Sequence, residues 1–213
     1  MHYYPIAIDL TDKKTLVVGG GAVALRKVEV LLEYGSSVTV VSPEVMPELR
    51  SLAECGKIEI RLKPYGHEDI EGAVLVVAAT DDRNINSQVS RDAQAANILV
   101  NVVDDPELCS FIVPATVKRR DLMISISTGG KSPALARRLR EMIEVTIGVE
   151  YGELTDILGE MRDIAKERME SQAEREKVFT HILDSKVLDL IQRGYHNEAR
   201  ALAIKILEQV DDS

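Results

Sequence analysis

Short apolar runs alternate with longer amphipathic stretches along the first half of the chain. The runs are typical of strands, and the stretches carry apolar residues at helical spacing. The run 73–79 is apolar throughout, as is typical of a central parallel strand covered on both faces. This alternation predicts an α/β fold, a Rossmann-like doubly wound parallel sheet. The predicted strands are Thr15–Val18, Val38–Val41, Ile58–Leu62, Ala73–Ala79 and Ile98–Val103, and the predicted helices are Ala22–Tyr34, Pro47–Glu54 and Arg83–Ala96.

The alternation ends after Asp104. Two further strands are predicted at Ser110–Val113 and Leu122–Ser127, around a charged turn at 118–121, with no crossover helix between them. The rest of the chain is predicted to be helical. Ser132 is the predicted N-cap of a first helix that begins with Pro133, and later helices are predicted from 151 on, with a break at Gly194. The predicted parts are a Rossmann domain at 1–113, a small α+β module at 114–149 and a helical domain at 150–213.

The segment between the first strand and the first helix has the pattern G-x-G-x-x-A. Gly19 allows a tight turn, Gly21 lets a pyrophosphate approach the backbone, and Ala24 is small enough for close packing of helix on strand. Amide groups at the start of the helix would face the phosphates. The pattern predicts a dinucleotide site, and a purely structural glycine turn is the alternative. The predicted cofactor contacts here are Gly19, Gly20, Gly21, Ala22 and Val23.

The end of the second strand bears on the choice between NAD and NADP. Many NAD-binding chains carry Asp or Glu there, which binds the ribose hydroxyls. This chain carries Ser42 and then Pro43, with no arginine beside them to attract a 2′-phosphate. We predict that both residues contact the cofactor and that NAD is mildly favoured.

Composition narrows the classes of function. The net charge of −9 over 213 residues argues against general nucleic-acid binding, and the longest apolar stretch is too short to span a bilayer. Cys55 and Cys109 fit a reducing cytoplasm better than a disulfide framework, and each is expected to be an isolated buried thiol. The N-terminus lacks the features of a signal peptide. We expect a cytoplasmic protein with no nucleic-acid or membrane partner.

A basic segment interrupts this acidic chain. Residues 114–140 hold seven basic side chains and one acidic side chain, Asp121. One interpretation is a charged turn followed by a charged helix face. The other is a binding surface for a polyanionic small molecule, because arginine binds carboxylates with two hydrogen bonds. The basic residues are Lys118, Arg119, Arg120, Lys131, Arg137, Arg138 and Arg140.

Taken together, motifs along the chain resemble the precorrin-2 dehydrogenase / sirohydrochlorin ferrochelatase family, of the siroheme synthase N-terminal type. The glycine pattern alone would not separate this family from many others, whereas the ordered combination does. The resemblance is strong over residues 1–150 and only general over the C-terminal helices. The motifs are Tyr4-Pro5-Ile6, Val17–Gly21, Ala78–Asp82, Asn101–Asp104, Ser110–Ala115 and Ser127–Ala136.

The resemblance implies a specific reaction, the oxidation of precorrin-2 to sirohydrochlorin with NAD. In many members, insertion of ferrous iron follows and gives siroheme. It also implies a homodimer whose 114–149 module dimerises and binds the substrate, a tetrapyrrole with several carboxylates that would suit the basic segment. A dehydrogenase without chelatase activity, a cobalt substrate and a non-catalytic dimeric module that senses NAD remain alternatives.

The resemblance assigns roles to single residues. Asp104 matches the family's key aspartate and is the predicted acid or base, the alternative being a cap of the turn before Pro106; the neighbouring Asp105 could share the role. Thr80 is expected to contact the cofactor or to cap the next helix, and Asn101 to contact the nicotinamide or to order the loop. The predicted substrate contacts are Thr128, Lys131, Arg137 and Arg138.

No metal site is predicted. The four histidines, His2, His67, His181 and His196, show no ligand spacing, and the cysteines form no C-x-x-C pair. This argues against a structural zinc. It leaves iron insertion open, because a chelatase does not need to hold its metal tightly.

Overall fold

The computed structural model describes residues 3–211. The chain divides into two compact units, Met1–Val113 and Pro114–Ser213. Each unit has its own buried core and is described by itself.

The first unit is built on a parallel sheet of five strands in the order β3-β2-β1-β4-β5. This is the doubly wound sheet that the alternation of apolar runs predicts. Two short 3-10 helices, His67–Ile70 and Pro106–Leu108, complete the unit. The strands are β1 (Lys14–Val18), β2 (Ser37–Val41), β3 (Ile58–Arg61), β4 (Leu75–Ala78) and β5 (Leu99–Val102), and the helices are α1 (Ala22–Glu33), α2 (Pro47–Glu54) and α3 (Arg83–Ala95).

The central strand β4 shows why the sequence has an unbroken apolar run there. Val76 and Ala78 join the core that lies against Val89 and Ala93 of α3. The alternate residues Leu75 and Val77 join the other core, which contains Ala24 and Val28 of α1 together with Leu49 of α2. Side chains on a strand alternate between faces, so a sheet covered on both sides requires apolar residues at every position.

The helix boundaries agree with the pattern to within one residue, whereas one predicted strand is wrong. Residues 110–113 form no strand, and the first strand of the second unit begins at Ala115. Ser110 makes three hydrogen bonds with Val100. Its amide (2.9 Å) and its hydroxyl (3.4 Å) donate to the carbonyl oxygen, and its hydroxyl accepts from the amide (2.8 Å). The side chain of Asn101 donates to the carbonyl of Phe111 (3.2 Å). Apart from the Ser110 amide bond, side-chain groups therefore take the places that a backbone ladder would need, and Pro114, which has no amide hydrogen, follows.

The second unit begins with an antiparallel hairpin and a helix. The strands β6 (Ala115–Arg119) and β7 (Leu122–Ile126) pair around a turn at 120–121, and α4 spans Pro133–Thr146. The hydroxyl of Ser132 accepts a hydrogen bond from the amide of Leu135 (3.2 Å), which confirms the predicted N-cap. At the other end, the guanidinium of Arg119 donates to the carbonyls of Glu144 (3.1 Å) and Ile147 (3.0 Å), and so ties the hairpin to the end of α4.

Four further helices surround the core of the second unit. Buried residues of α5 recur at helical spacing, for example Leu154, Ile157, Met161 and Ala165. The predicted break at Gly194 is present, with a φ of +82°, while the breaks at 169–171 and 184–186 were not predicted. The helices are α5 (Glu150–Arg168), α6 (Gln172–Leu183), α7 (Val187–Gln192) and α8 (His196–Asp211).

The cysteines differ in environment. Cys109 is half-buried, but Cys55 is exposed, so the expectation of a buried thiol is wrong for Cys55. This residue follows the last turn of α2, where its side chain meets solvent rather than the core. Among the helices of residues 3–211, none combines the length and the apolar character that a membrane crossing would need.

Candidate functional site

The glycine turn, residues 19–21, connects β1 to α1 at the carboxyl edge of the sheet. Gly19 has a φ of +121°, and its amide donates to the carbonyl of Val41 (2.9 Å). A Cβ atom at Gly19 would collide with the carbonyl oxygen of Ala79, which follows β4. The turn therefore approaches the ends of both neighbouring strands more closely than a side chain allows.

The other two glycines of this turn differ in what surrounds them. A Cβ at Gly20 would collide with the carbonyl oxygen of Glu44, whereas a Cβ at Gly21 would meet nothing within 4 Å. The backbone of Gly20 also accepts a hydrogen bond from the amide of Met46 (2.9 Å). Gly20 is thus required by the fold. At Gly21 the fold imposes no such packing requirement, and the space is open to a ligand.

The first turn of α1 has the features of an anion site. Gly21 is the N-cap and offers no side-chain oxygen, and the first turn contains no acidic residue. The amides of Ala22 and Val23 precede the first intrahelical bond, from Leu25 to Gly21. Both residues line a cleft, so the positive end of the helix dipole faces it.

This cleft has a volume of about 790 Å³ and is called the nucleotide cleft below. Ser42 and Pro43, at the end of β2, form part of its wall, and so does Thr80, which follows β4. The structure thus brings together all the predicted cofactor contacts except Asn101. A dinucleotide requires open space at the second glycine, free amides at the start of the helix, and a groove where the strand order reverses, here between β1 and β4. The residues of the cleft meet these requirements and so fit this cofactor. The lining residues are Val18 to Val23, Val41 to Met46, Pro64, Tyr65, Ala79 to Asp82 and Ile85.

Thr80 is held by a side chain that the sequence reasoning missed. Buried Asn86 accepts hydrogen bonds from the hydroxyl (2.8 Å) and the amide (3.3 Å) of Thr80, and its own amide donates to the Thr80 carbonyl (2.9 Å). The helix cap is Asp82, which accepts from the amides of Asn84 (2.8 Å) and Ile85 (3.4 Å). Thr80 therefore shapes the turn that forms the cleft wall. A polar residue at a core position of an amphipathic helix was the available signal for Asn86.

Asn101 and Asp104 lie outside the described lining of the nucleotide cleft. Asn101 belongs to β5, where its amide group bonds Phe111. Its contact with the nicotinamide stays a prediction.

Asp104 follows β5 in a left-handed backbone conformation (φ +60°) and is exposed. Such a conformation is uncommon for a residue with a side chain, although aspartate tolerates it better than most. Asp105 lies 3.4 Å from the guanidinium of Arg83, so the two neighbouring carboxylates have different surroundings.

The thiol of Cys109 stabilises the turn that carries Asp104. Its sulfur accepts from the amide of Val102 (3.1 Å) and lies 3.3 Å from the carbonyl oxygens of Val102 and Asp105. Burial raises the pKa of the Cys109 thiol. The prediction of an isolated thiol did not include this bonding role.

Lys27 of α1 is a second residue that the sequence reasoning missed. Burial is the main cause that lowers the pKa of its ammonium group, and Arg26 adds to the effect. Interaction with the carboxylate of Asp104 raises this pKa and so acts in the opposite direction. A half-buried cation therefore belongs to the electrostatic surroundings of Asp104.

Some basic residues of the segment 114–140 are bonded within the second unit, and others are exposed without an ion pair. Arg119 bonds the end of α4, Arg120 forms an ion pair with Asp156, and Arg140 pairs with Glu144 (2.6 Å). No such ion pair involves Lys131, Arg137 or Arg138 within the described part of the second unit, and all three are exposed.

The loop before α4 contains the remaining predicted substrate contacts. The hydroxyl of Thr128 accepts a hydrogen bond from the amide of Ser132 (3.0 Å), and Gly129 and Gly130 have positive φ angles of 62° and 81°. Lys131 follows them in this exposed loop. The oxygen of Thr128 thus accepts a hydrogen bond within the loop. Among the described hydrogen bonds its hydroxyl donates none, so it can donate one to a ligand.

Across residues 3–211, no three His, Cys, Asp or Glu side chains are grouped so that they could hold a metal ion. His2 lies outside the described residues. Of the other three, His67 lies 3.5 Å from Asp92 and His196 lies 2.8 Å from Glu153.

Three family models match successive parts of the chain. Residues 6–115 match the model described as "Putative NAD(P)-binding", which spans most of the first unit. Residues 119–146 match the central region of sirohaem biosynthesis proteins, and residues 150–207 match the sirohaem synthase dimerisation region. The cofactor class expected from the glycine pattern is confirmed, and the last match supports the expected homodimer.

Relatives and a solved structure agree with this. A siroheme synthase of Methylobacillus flagellatus is 48% identical over 208 residues, 97% of this chain and 44% of that protein. A siroheme synthase of Chromobacterium violaceum is 41% identical, with 94% of this chain and 43% of that protein covered. The chain thus spans less than half the length of these relatives. The structure of SirC, a precorrin-2 dehydrogenase, superposes with a TM-score of 0.74 and 27% identity over 99% of this chain and 100% of that one.

The surroundings of Gly20 and Gly21 predict that substitution of one lowers stability and substitution of the other weakens nucleotide binding. Gly21→Asp should fold normally, because the Cβ position is open, and should weaken NADH binding by roughly 100-fold, because its carboxylate would face the pyrophosphate. Gly20→Ala should instead lower the free energy of unfolding by about 1–3 kcal/mol, because the added methyl group would collide with the carbonyl of Glu44. Thermal melting and titration of NADH fluorescence measure the two effects.

Gly159→Asp is the matched control, because Gly159 of α5 also has open space around its Cβ position and the charge change is the same. It should leave the affinity for NADH unchanged. Unchanged NADH affinity in the Gly21 variant would contradict the placement of the pyrophosphate.

Proposed function

Since the chain belongs to the siroheme synthase N-terminal family, we propose that it catalyses the NAD-dependent oxidation of precorrin-2 to sirohydrochlorin. The observation that carries this proposal is the end-to-end similarity to SirC, a precorrin-2 dehydrogenase of which the whole chain is covered. The nucleotide cleft supplies the site that such a reaction needs.

The chain's part in cofactor binding follows from the nucleotide cleft. The uncapped amides at the start of α1 hold the pyrophosphate, and the open space at Gly21 admits it. Ser42 is at the strand end where the ribose of such cofactors is bound. Bound NAD supplies a hydride acceptor, and the protein's task is to place the macrocycle against it and to exclude competing reactions.

Asp104 is the proposed base. The oxidation removes a proton as well as a hydride, so a carboxylate must stand where the substrate can reach it. Asp104 is exposed and follows a strand at the carboxyl edge of the sheet, where ligands of such folds bind. The bonds of Cys109 hold the turn, and the charge of Lys27 lies in the surroundings of the carboxylate.

The substrate's carboxylates are the proposed partners of Lys131, Arg137 and Arg138. These exposed cations form no ion pair with described residues, so binding a carboxylate breaks no existing pair. Thr128 can add a hydroxyl donor from the adjoining loop. Arginine favours such contacts because its planar group matches a carboxylate with two hydrogen bonds.

The direct test is anaerobic incubation of precorrin-2 with NAD, followed through the absorbance of NADH and of sirohydrochlorin. Stoichiometric formation of both products is expected. NADH binding without turnover would indicate the non-catalytic sensing module instead. Ferrous or cobaltous ion, added after oxidation, tests whether metal insertion follows.

The homodimer contact is proposed to include α4. Its exposed apolar residues Leu135, Met142 and Val145, with Val149 just after the helix, recur at the spacing of one helix face. Val145 is 88% exposed and Val149 is 79% exposed. Large apolar side chains that share one helix face are rarely so exposed unless they form a contact surface. The segment leads directly into the region that matches the dimerisation model.

Asp104→Asn should reduce turnover by roughly 10²- to 10⁴-fold, because the amide cannot accept the proton. The affinity for NADH should stay within about threefold, since asparagine also tolerates the left-handed conformation. Stopped-flow turnover and NADH titration separate the two. Asp12→Asn is the control, because Asp12 is an exposed aspartate with a φ of +56° in the same unit. Normal turnover of the Asp104 variant would exclude the residue from the mechanism.

The double variant Arg137→Ala, Arg138→Ala should raise the KM for precorrin-2 by about 10- to 100-fold through lost charge-assisted hydrogen bonds, with the KM for NAD little changed. Steady-state kinetics with each substrate varied in turn measure both values. The control is Arg193→Ala with Arg200→Ala, which removes the same charge from exposed residues paired to Asp189 and Glu160. An equal rise in both KM values would point to a folding or dimer defect.

Val145→Asp should shift the protein from dimer to monomer, weakening association by at least about 100-fold, because a charge would have to be buried in an apolar contact. Sedimentation equilibrium over a range of concentrations measures this. Leu62→Asp, at a 55% exposed residue of the first unit, should leave the dimer intact. A dimer of unchanged affinity in the Val145 variant would remove α4 from the interface.

A further inference from the structure

We propose that Lys27 of α1 binds a carboxylate of the substrate beside the proposed base, Asp104, and thereby orients the macrocycle there. This inference rests on the proposed function, because the substrate assigned under it carries several carboxylates. It adds a contact from the first unit to those proposed for the basic residues of the second unit. The sequence pattern gave Lys27 no role.

Lys27 lies at the border of the buried face of α1. This face is formed by Ala24, Val28 and Leu31. Lys27 follows Ala24 by three positions and precedes Leu31 by four, so it is a neighbour of both on the helix surface. The residue is half-buried, which is typical of a lysine whose apolar stem lies along a core while its ammonium group reaches the surface.

The segment that carries Asp104 packs against the same core. Val103 directly precedes Asp104, and both Val103 and Phe111 pack against the core that contains Ala24 and Val28. The cation and the carboxylate therefore come from two elements that share one core. The electrostatics agree with this placement, because burial lowers the pKa of the Lys27 ammonium group while the carboxylate of Asp104 raises it.

Lys27 has no partner of its own in the described part of the chain. Within residues 3–211 its ammonium group forms no ion pair and donates no hydrogen bond. Asp104 acts on it through its charge without forming an ion pair with it. A half-buried cation without a partner costs free energy, and a bound anion would recover part of that cost.

The charges around Lys27 show why an anionic substrate needs it. Asp104 and Asp105 are neighbours in the chain, and their carboxylates repel a substrate that carries carboxylates itself. The guanidinium of Arg83 is engaged with Asp105 (3.4 Å), and Arg26 is exposed on α1. Lys27 offsets the repulsion for one carboxylate of the substrate, so the ring is favoured in the orientation that places this group at Lys27.

The test is the variant Lys27→Met, which keeps a long unbranched side chain and removes the charge. In the full chain, the KM for precorrin-2 and the Kd for sirohydrochlorin, measured anaerobically by absorbance with NAD present, should each rise by about 10- to 100-fold. The affinity for NADH should change by less than about threefold. The melting temperature should not fall, because an unpaired, half-buried charge does not stabilise the fold. Lys27→Arg should restore most of the affinity, since it keeps a cation that binds carboxylates.

Lys57→Met is the matched control, because Lys57 is an exposed lysine of the same unit that directly precedes β3, at the amino edge of the sheet. It should leave KM and Kd unchanged. Unchanged values in Lys27→Met, or an equal rise in the two variants, would overturn the proposal for Lys27 alone. A lower melting temperature together with weaker NADH binding would also overturn it, in favour of a structural role.

The sirohydrochlorin titration separates this proposal from the proposed function, because it measures binding without turnover. A wild type that binds sirohydrochlorin but does not oxidise precorrin-2 would contradict the proposed reaction, and the Kd of Lys27→Met would still decide the role of Lys27. A wild type that neither binds the one nor oxidises the other would overturn both proposals.

Discussion

The close approach of the glycine turn to its neighbours is the constraint on which the first unit depends. The backbone at Gly19 lies against the carbonyl of Ala79, and that at Gly20 against the carbonyl of Glu44. Connections after β2 and β4 are thereby brought to the start of α1. These three segments form most of the wall of the nucleotide cleft, and their backbone contacts fix how close together they lie.

Two local conformations then determine where Thr80 and Asp104 are placed. Asn86 fixes the turn after β4 with three hydrogen bonds to Thr80. Cys109 holds the turn after β5, in which Asp104 adopts a left-handed conformation. In both turns a side chain supplies bonds that regular structure would otherwise give. Both turns lie at the carboxyl edge of the sheet, where parallel strands present their ligand-binding loops.

The fold was largely predictable from sequence because the strand pattern, the helix caps and the glycine spacing are local signals. The unbroken run of β4 predicts a strand covered on both sides, and Ser132 predicts where α4 begins. The strand predicted at 110–113 failed because the partner groups of Ser110 and Phe111 lie some 10 residues away on β5, and no local pattern contains them. For the same reason the site's polar contacts were only partly predictable. The glycines could be assigned one by one, whereas the surroundings of Asn86, Lys27 and Glu44 depend on which segments the sheet order brings together.

The bonding of Cys109 also has a consequence for the protein's chemical durability. A thiolate beside Asp104, the proposed base, would be open to oxidation and to reaction with electrophiles. Burial raises the pKa of this thiol, so at neutral pH the sulfur remains protonated. A protonated thiol is a poor nucleophile and is slow to oxidise. The turn thus obtains hydrogen bonds from a sulfur atom while that atom stays chemically inert.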